Sequence, residues 1–294
     1  MDLSRRAETQ AASLQSGGPV DSRRYIFSFP ISSVKEIPAG FDELAGCGEI
    51  HAGVFLPQDD PDWLGRRRYP PRILLITATG VVVAAHESAR EPVWKLPICQ
   101  VSSLEWGRVL LSGWIVFTGG RTSKRLPFNT RGIIPVERCI KVFKERWLPR
   151  VHGEERRPET FGAPLTLKFE YARAAELMDG EAPVLQFFHP AVRRERRILI
   201  LRRVVWAGGD LIVVTGRRLF WITERCQGRY EPYGTVTSCA PLGGVREVRL
   251  AEVGARAGAQ LQIVFESGLP WRIPAGEGLE AEAGRFAEAL GRLL

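Results

Sequence analysis

Cysteine is scarce: Cys47, Cys99, Cys139, Cys226 and Cys239 are the only five in 294 residues. An odd number, with no close pair and no C-x-x-C, argues against both a disulfide framework and a zinc or redox motif. Free thiols in a reducing compartment are expected. Histidine is also sparse (His51, His86, His152, His189), and only Cys47 and His51 stand at ligand spacing. Two ligands do not make a zinc site, so no metal and no cofactor is expected. Gly-x-Ser-x-Gly, His-Glu-x-x-His and Walker A patterns are missing. Thr118–Lys124 carries Gly119-Gly120, but in a predicted hairpin rather than before a helix, where a phosphate loop would need it. The acidic group Asp59, Asp60 and Asp62 reads as a solvated loop. With no nucleophile–base pair in view, the expectation is a protein that is not an enzyme.

Long apolar runs are absent too. The longest, Ile73 to Ala85, has 13 residues and is interrupted by Thr77, Thr79 and Gly80. A membrane span needs about 20. Arg5 and Arg6 are followed by no apolar segment, so no signal peptide is read. The expected location is cytoplasmic, with peripheral attachment at the inner face of the membrane as the alternative.

What is present is charge and apolar bulk. The chain carries 41 Lys+Arg against 33 Asp+Glu, net +8, with 45% hydrophobic residues. The excess is spread: residues 33–150 hold 17 basic against 12 acidic, and residues 162–294 hold 18 against 15. Neither half is a basic domain, and the aromatics fall at core-facing strand positions rather than among exposed arginines. Nucleic acid is therefore set aside as a partner.

The length predicts two domains. Two apolar runs, Leu211–Thr215 and Leu219–Thr223, are separated only by Gly216, Arg217 and Arg218 and read as paired strands. A weaker copy stands upstream, Ile73–Thr77 and Val81–Ala85 around Ala78-Thr79-Gly80. Thr77 matches Thr215, Pro97 matches Pro241, and Val101, Leu104 and Trp106 match Val245, Val248 and Leu250. Each set closes on an apolar stripe of helical period: Val136, Ile140, Phe143 and Trp147 in the first, Leu279, Ala283, Phe286, Leu290 and Leu293 in the second. Trp147 and Phe286 are expected deepest in the helix–sheet contact. Between the sets, Leu165, Leu167, Phe169 and Tyr171 alternate as a strand would, and Ile198–Trp206 reads as one strand.

Predicted boundaries are a flexible tail with a short docking strand (1–32), a first domain (33–149), a linker (150–164) and a second domain (165–294). The fold class expected is α+β, mainly β. Each domain is a partly open antiparallel β-barrel capped by its C-terminal helix, which shields the apolar mouth that a half-barrel leaves to water.

Thr215-Gly216-Arg217-Arg218-Leu219 between strands, a preceding Gly-Glu (Gly180-Glu181, echoed by Gly48-Glu49), the mid-domain proline step and the final helix together resemble bacterial pleckstrin-homology-like domains and their GRAM-type relatives. The likeness covers both halves, although Gly80 stands where the arginine before Leu would be in the first. It implies two tandem modules and a binding or scaffolding role without catalysis, the leading partner being another protein. It also implies an anion site near the first strand pair, where Arg66, Arg67 and Arg68 lie in the first half and Arg193, Arg194, Arg196 and Arg197 in the second. These make an anionic phospholipid surface the alternative target. An enzyme whose site the sequence does not display is the third.

Overall fold

The computed structural model describes residues 28–57, 69–89, 91–120, 122–148, 157–198, 201–225, 234–252, 259–266, 270–276 and 278–294. Strands there are β1 (Phe29–Ile31), β2 (Ile50–Leu56), β3 (Arg72–Thr77), β4 (Gly80–Ala85), β5 (Trp94–Pro97), β6 (Val101–Val109), β7 (Ser112–Gly119) and β8 (Thr122–Asn129), followed by helix α1 (Ile133–Trp147). After these come β9 (Glu159–Gly162), α2 (Leu167–Glu176), β10 (Pro183–His189), β11 (Val192–Ile198), β12 (Leu201–Ala207), β13 (Asp210–Thr215) and β14 (Arg218–Arg225). The chain ends with β15 (Gly234–Pro241), β16 (Val245–Glu252), β17 (Ala259–Phe265), β18 (Trp271–Pro274) and α3 (Glu280–Gly291). The protein is mainly β, with the strands in separate sheets and no closed barrel among them.

Two compact units form. One comprises Met1–Val101, Leu111–Trp114 and Leu126–Trp147; the other comprises Ser102–Leu110, Ile115–Arg125 and Leu148–Leu294. In the first, β1 to β5 make an antiparallel sheet in sequence order. Strands β3 and β4 are almost wholly buried, which explains why they read as continuous apolar runs rather than alternating ones. Helix α1 lies against β2 and β3 through Val136, Cys139, Ile140 and Phe143. Phe143, at 0% exposure, takes the depth expected of Trp147. Trp147 stays half-buried because its indole N–H donates to Val101 O at 3.0 Å, and that polar edge belongs at a rim.

In the second unit, β15, β14, β13, β10 and β9 are neighbours in that order, antiparallel except for the β10–β9 pair. The far edge of β15 pairs with Leu104–Arg108. A second sheet, β16–β17–β18, completes the core, and α3 packs on β16 and β10. Phe286 sits at 0% exposure between Phe161 and Phe187, with ring centroids 5.7 and 5.8 Å away. Strand β12 covers most of the strand expected over Ile198–Trp206, and β11 (Val192–Ile198) pairs with it as a further strand. Helix α2 replaces the strand expected from Leu165 to Tyr171. Leu167 and Tyr171 are 65% and 70% exposed while Phe169 is buried, so the alternation carried no buried face. The run of Leu, Lys, Glu, Arg and Ala favours helix there. Glu159–Gly162, placed in the linker by composition, forms the edge strand β9 and buries Phe161.

Element order recurs. Strands β2, β3, β4 and β5, a 3-10 turn, β6, β7, β8 and α1 are matched by β10, β13, β14 and β15, a 3-10 turn, β16, β17, β18 and α3. The proline step is the same in detail: Pro97 at φ −56°, ψ 140° and Pro241 at φ −59°, ψ 139° each precede their 3-10 turn.

One consequence concerns α3. Gly284 lies inside this helix, and a Cβ added there meets nothing nearer than Leu250 Cδ2 at 4.0 Å. Gly284→Ala should therefore stabilise the protein by about 0.5–1 kcal/mol, measurable as a raised urea midpoint with unchanged slope.

Candidate functional site

The β13–β14 turn sets the site. Its corner is Gly216-Arg217, so Arg218 already belongs to strand β14, paired with Pro241. Thr215 Oγ1 accepts from Arg218 N at 3.2 Å and donates to Glu181 Oε1 at 2.7 Å. A short polar side chain that bonds the backbone three residues on holds such a corner closed. Glu181 follows Gly180, whose φ of +74° favours glycine, and its Oε2 accepts from Met178 N at 3.0 Å.

Arg218 reaches Glu181 with both ends of its fork, Nε to Oε1 at 2.8 Å and Nη2 to Oε2 at 2.6 Å. Its Nη2 also donates to Glu176 O, and its guanidinium lies 5.1 Å from the Phe220 ring centroid. Arg217 shares the same carboxylate through Nε, 3.2 Å from Oε1. Burial pushes the Glu181 carboxyl upward, but the Arg218 hydrogen bonds and charge outweigh it and hold the pKa at about 2. The ion pair is thus bidentate and buried.

The first unit builds the corresponding turn without it. Thr77 Oγ1 donates to Gly80 O at 3.0 Å and accepts from Gly80 N at 3.2 Å. Gly80 has no room for a side chain, since a Cβ there would lie 2.4 Å from Leu96 O. Glu49, the counterpart of Glu181, leaves its side chain 76% exposed.

Above the Glu181–Arg218 pair opens a cleft of about 500 Å³. Its polar wall carries three guanidinium groups, from Arg157, Arg217 and Arg292, against the carboxylates of Glu159 and Glu181. Its apolar wall includes Pro183, Val184 and Leu293, the last two 39% and 45% exposed. Counting Arg218 beneath, four positive charges face two negative ones among the described residues. Among the described residues, the cleft's ionisable side chains are arginines and glutamates alone. It suits binding of an anion beside an aliphatic group.

No protein-family model matches the chain, and no curated protein matches it significantly.

The described lining of the cleft comes from residues other than the arginine runs singled out in the sequence. Arg66, Arg67 and Arg68 lie outside the described residues. Arg193, Arg194, Arg196 and Arg197 belong to β11, whose register sets Arg196 opposite Arg203 and Arg197 opposite Arg202. Sequence reasoning missed Arg157 and Arg292. The second had a signal, a basic residue just past the last turn of a helix, where it complements the dipole. Among the described residues no group of three or more His, Cys, Asp or Glu could hold a metal ion, and no helix is long and apolar enough to cross a membrane.

A second polar cluster lies at the opposite end of β13. Asp210 is 4% exposed and accepts from Trp221 Nε1 at 2.8 Å, with His189 Nδ1 3.9 Å from its other oxygen. Burial raises its pKa to about 6, partly offset by hydrogen bonds from Thr223 and Trp221 and reinforced by the charge of Glu224. An acid raised in the folded state binds more protons folded than unfolded between pH 4 and 6. Its contribution to stability therefore falls as pH rises through that window. Asp210→Asn keeps the acceptor and removes the charge. Relative to wild type, the variant should gain roughly 2–3 kcal/mol on going from pH 4 to pH 7, read from denaturant midpoints at the two pH values.

Proposed function

We propose that the chain is a non-catalytic binding protein built from two pleckstrin-homology-like units, and that it holds a protein partner in the cleft beside Arg217. The observation carrying this reading is a partly apolar, arginine-lined cleft set on a buried ion pair. Rigid support under a binding surface reduces the ordering cost of association. The recurrence of strand order, turn chemistry and closing helix supports the family resemblance at the level of the fold. The edge strand β9 at the cleft margin offers main-chain groups for β-strand addition by a partner.

The test is site-specific photocrosslinking of the full chain in its native cells. A benzophenone side chain at Val184 should capture a discrete protein, while one at Leu110, 70% exposed and away from the cleft lining, should not. Capture of nothing but lipid at Val184 overturns the reading.

One alternative has an observation of its own. An anionic phospholipid surface is that alternative, bound by arginines of the β11–β12 ribbon, whose register sets Arg196 opposite Arg203 and Arg197 opposite Arg202. Each basic residue at such a surface contributes about 1 kcal/mol, so adhesion would be weak and salt-sensitive. Pelleting with phosphatidylserine vesicles at low but not high salt would favour it; no pelleting at low salt removes it.

A further inference from the structure

Resting on the reading of this cleft as a protein-binding site, we infer that its ligand is an acidic peptide segment: a carboxylate flanked by an aliphatic residue, laid in extended form beside β9. Charge is the first argument. Glu181 is already shared by Arg217 and Arg218, and with Arg218 counted beneath the wall the described residues set four positive charges against two carboxylates. Arg157 and Arg292 are both exposed at the surface and, set against Glu159, the remaining described carboxylate on the wall, present one positive charge in excess. Guanidinium forks match carboxylates two bonds at a time, whereas a solvated lysine rim would act only as point charges.

The second argument is the kind of anion. Anion sites for phosphate are commonly made by helix N-termini or by nests of backbone N–H groups. Here the helix that reaches the cleft presents its C-terminal end, through Ala289, Arg292 and Leu293. That end carries partial negative charge, which disfavours a multiply charged phosphate and leaves Arg292 to hold a singly charged group. Carboxylate fits this balance better than phosphate.

Shape and apolar surface supply the third. A volume of about 500 Å³ lies in the range of pockets that take drug-sized ligands, and is enough for a few residues of extended chain. Val184 and Leu293 are large apolar side chains left partly in water at its rim. An aliphatic neighbour of the carboxylate would cover them. Edge strand β9 lies at the margin and supplies a direction for the peptide backbone.

Fluorescence anisotropy of the full chain tests this with three labelled hexapeptides that alternate leucine with glutamate, glutamine or lysine. The glutamate peptide should bind at least about tenfold more tightly than the glutamine one at low salt, and the lysine one should not bind. Arg157→Gln with Arg292→Gln should remove that preference while leaving the melting temperature unchanged, since both side chains are exposed. Equal affinity for the glutamate and glutamine peptides overturns the inference. So does a preference that survives the double substitution. Binding to phosphatidylserine vesicles that the double substitution abolishes, with no peptide preference, overturns it in favour of a membrane ligand. A protein crosslinked at Val184 without glutamate preference sinks the acidic-peptide inference but spares the functional reading. Glutamate preference without a crosslinked protein does the reverse.

Discussion

Glu181→Ala is expected to lower the unfolding free energy by about 3–5 kcal/mol, the largest effect of any single side-chain truncation on the cleft wall. The reason is what the substitution leaves behind. Arg218 is fully buried, and its guanidinium cannot be deprotonated to escape the loss of its partner. Glu176 O and Cys239 Sγ remain as its neighbours, neither carrying the full charge that Glu181 supplies. Removing both charges at once should behave differently. A Glu181→Leu, Arg218→Met double variant fills the space with apolar atoms and should fall within about 1–2 kcal/mol of wild type, or exceed it. Chemical denaturation of the two singles and the double gives the coupling directly.

The first unit provides the control inside the same chain. Its turn closes through Thr77 with glycine at the arginine position, so the ion pair is not needed to form the turn. Glu49→Ala, at an exposed carboxylate, should change stability by less than about 0.5 kcal/mol. Acid provides another check. Because the folded pKa of Glu181 lies near 2 and its ordinary value is 4.5, its stabilisation is present above pH 4.5 and is lost as pH falls toward 2. Wild type should lose about 3 kcal/mol from this group over that interval, and the double variant should lack that component.

The ion pair also shows what the sequence could and could not disclose. Gly180-Glu181 and Thr215 were visible as a repeated pattern, echoed by Gly48-Glu49 and Thr77, because turn chemistry is local: a hydroxyl bonding three residues ahead needs no knowledge of the rest of the fold. The meeting of Glu181 with Arg218 was not visible. It depends on β10 and β13 pairing, which brings residues 37 positions apart to 2.6 Å. The mainly-β class and the two closing helices followed from period alone. Helix α2 did not, since four apolar residues spaced by two mimic a strand when only one of them is buried. The cleft was the least legible feature. Arg157, Val184, Arg217 and Arg292 come from four separate segments, and no spacing rule joins them. The arginine runs that did stand out, at residues 66–68 and 193–197, stood out by density in the sequence.

Gly276→Ala should cost roughly 2–5 kcal/mol, although it adds a single methyl group. Two penalties act together. Gly276 sits at φ +81°, a backbone region that costs an L-residue about 1–2 kcal/mol. The added Cβ would also lie 2.0 Å from His189 Cδ2 and 2.5 Å from Nε2. His189 has little room to withdraw: it is 5% exposed, ends strand β10 and pairs in register with Asp210. Forcing a methyl group into such packing adds about 1–3 kcal/mol. The two penalties separate in a double-mutant cycle. In a His189→Ala background the steric part vanishes, so Gly276→Ala should there cost only the backbone part, about 1–2 kcal/mol. An unchanged cost in that background would mean that the ring does not fill the space above Gly276. The first unit repeats the device between Gly40, at φ +85°, and His86, whose Nε2 would lie 2.3 Å from a Cβ at that position. Gly40→Ala with His86→Ala should therefore show coupling of the same sign. By contrast Gly284→Ala, a methyl group added to the same protein in open space on a regular helix, should stabilise it. The sign of a glycine substitution here is decided by φ and by the nearest atom.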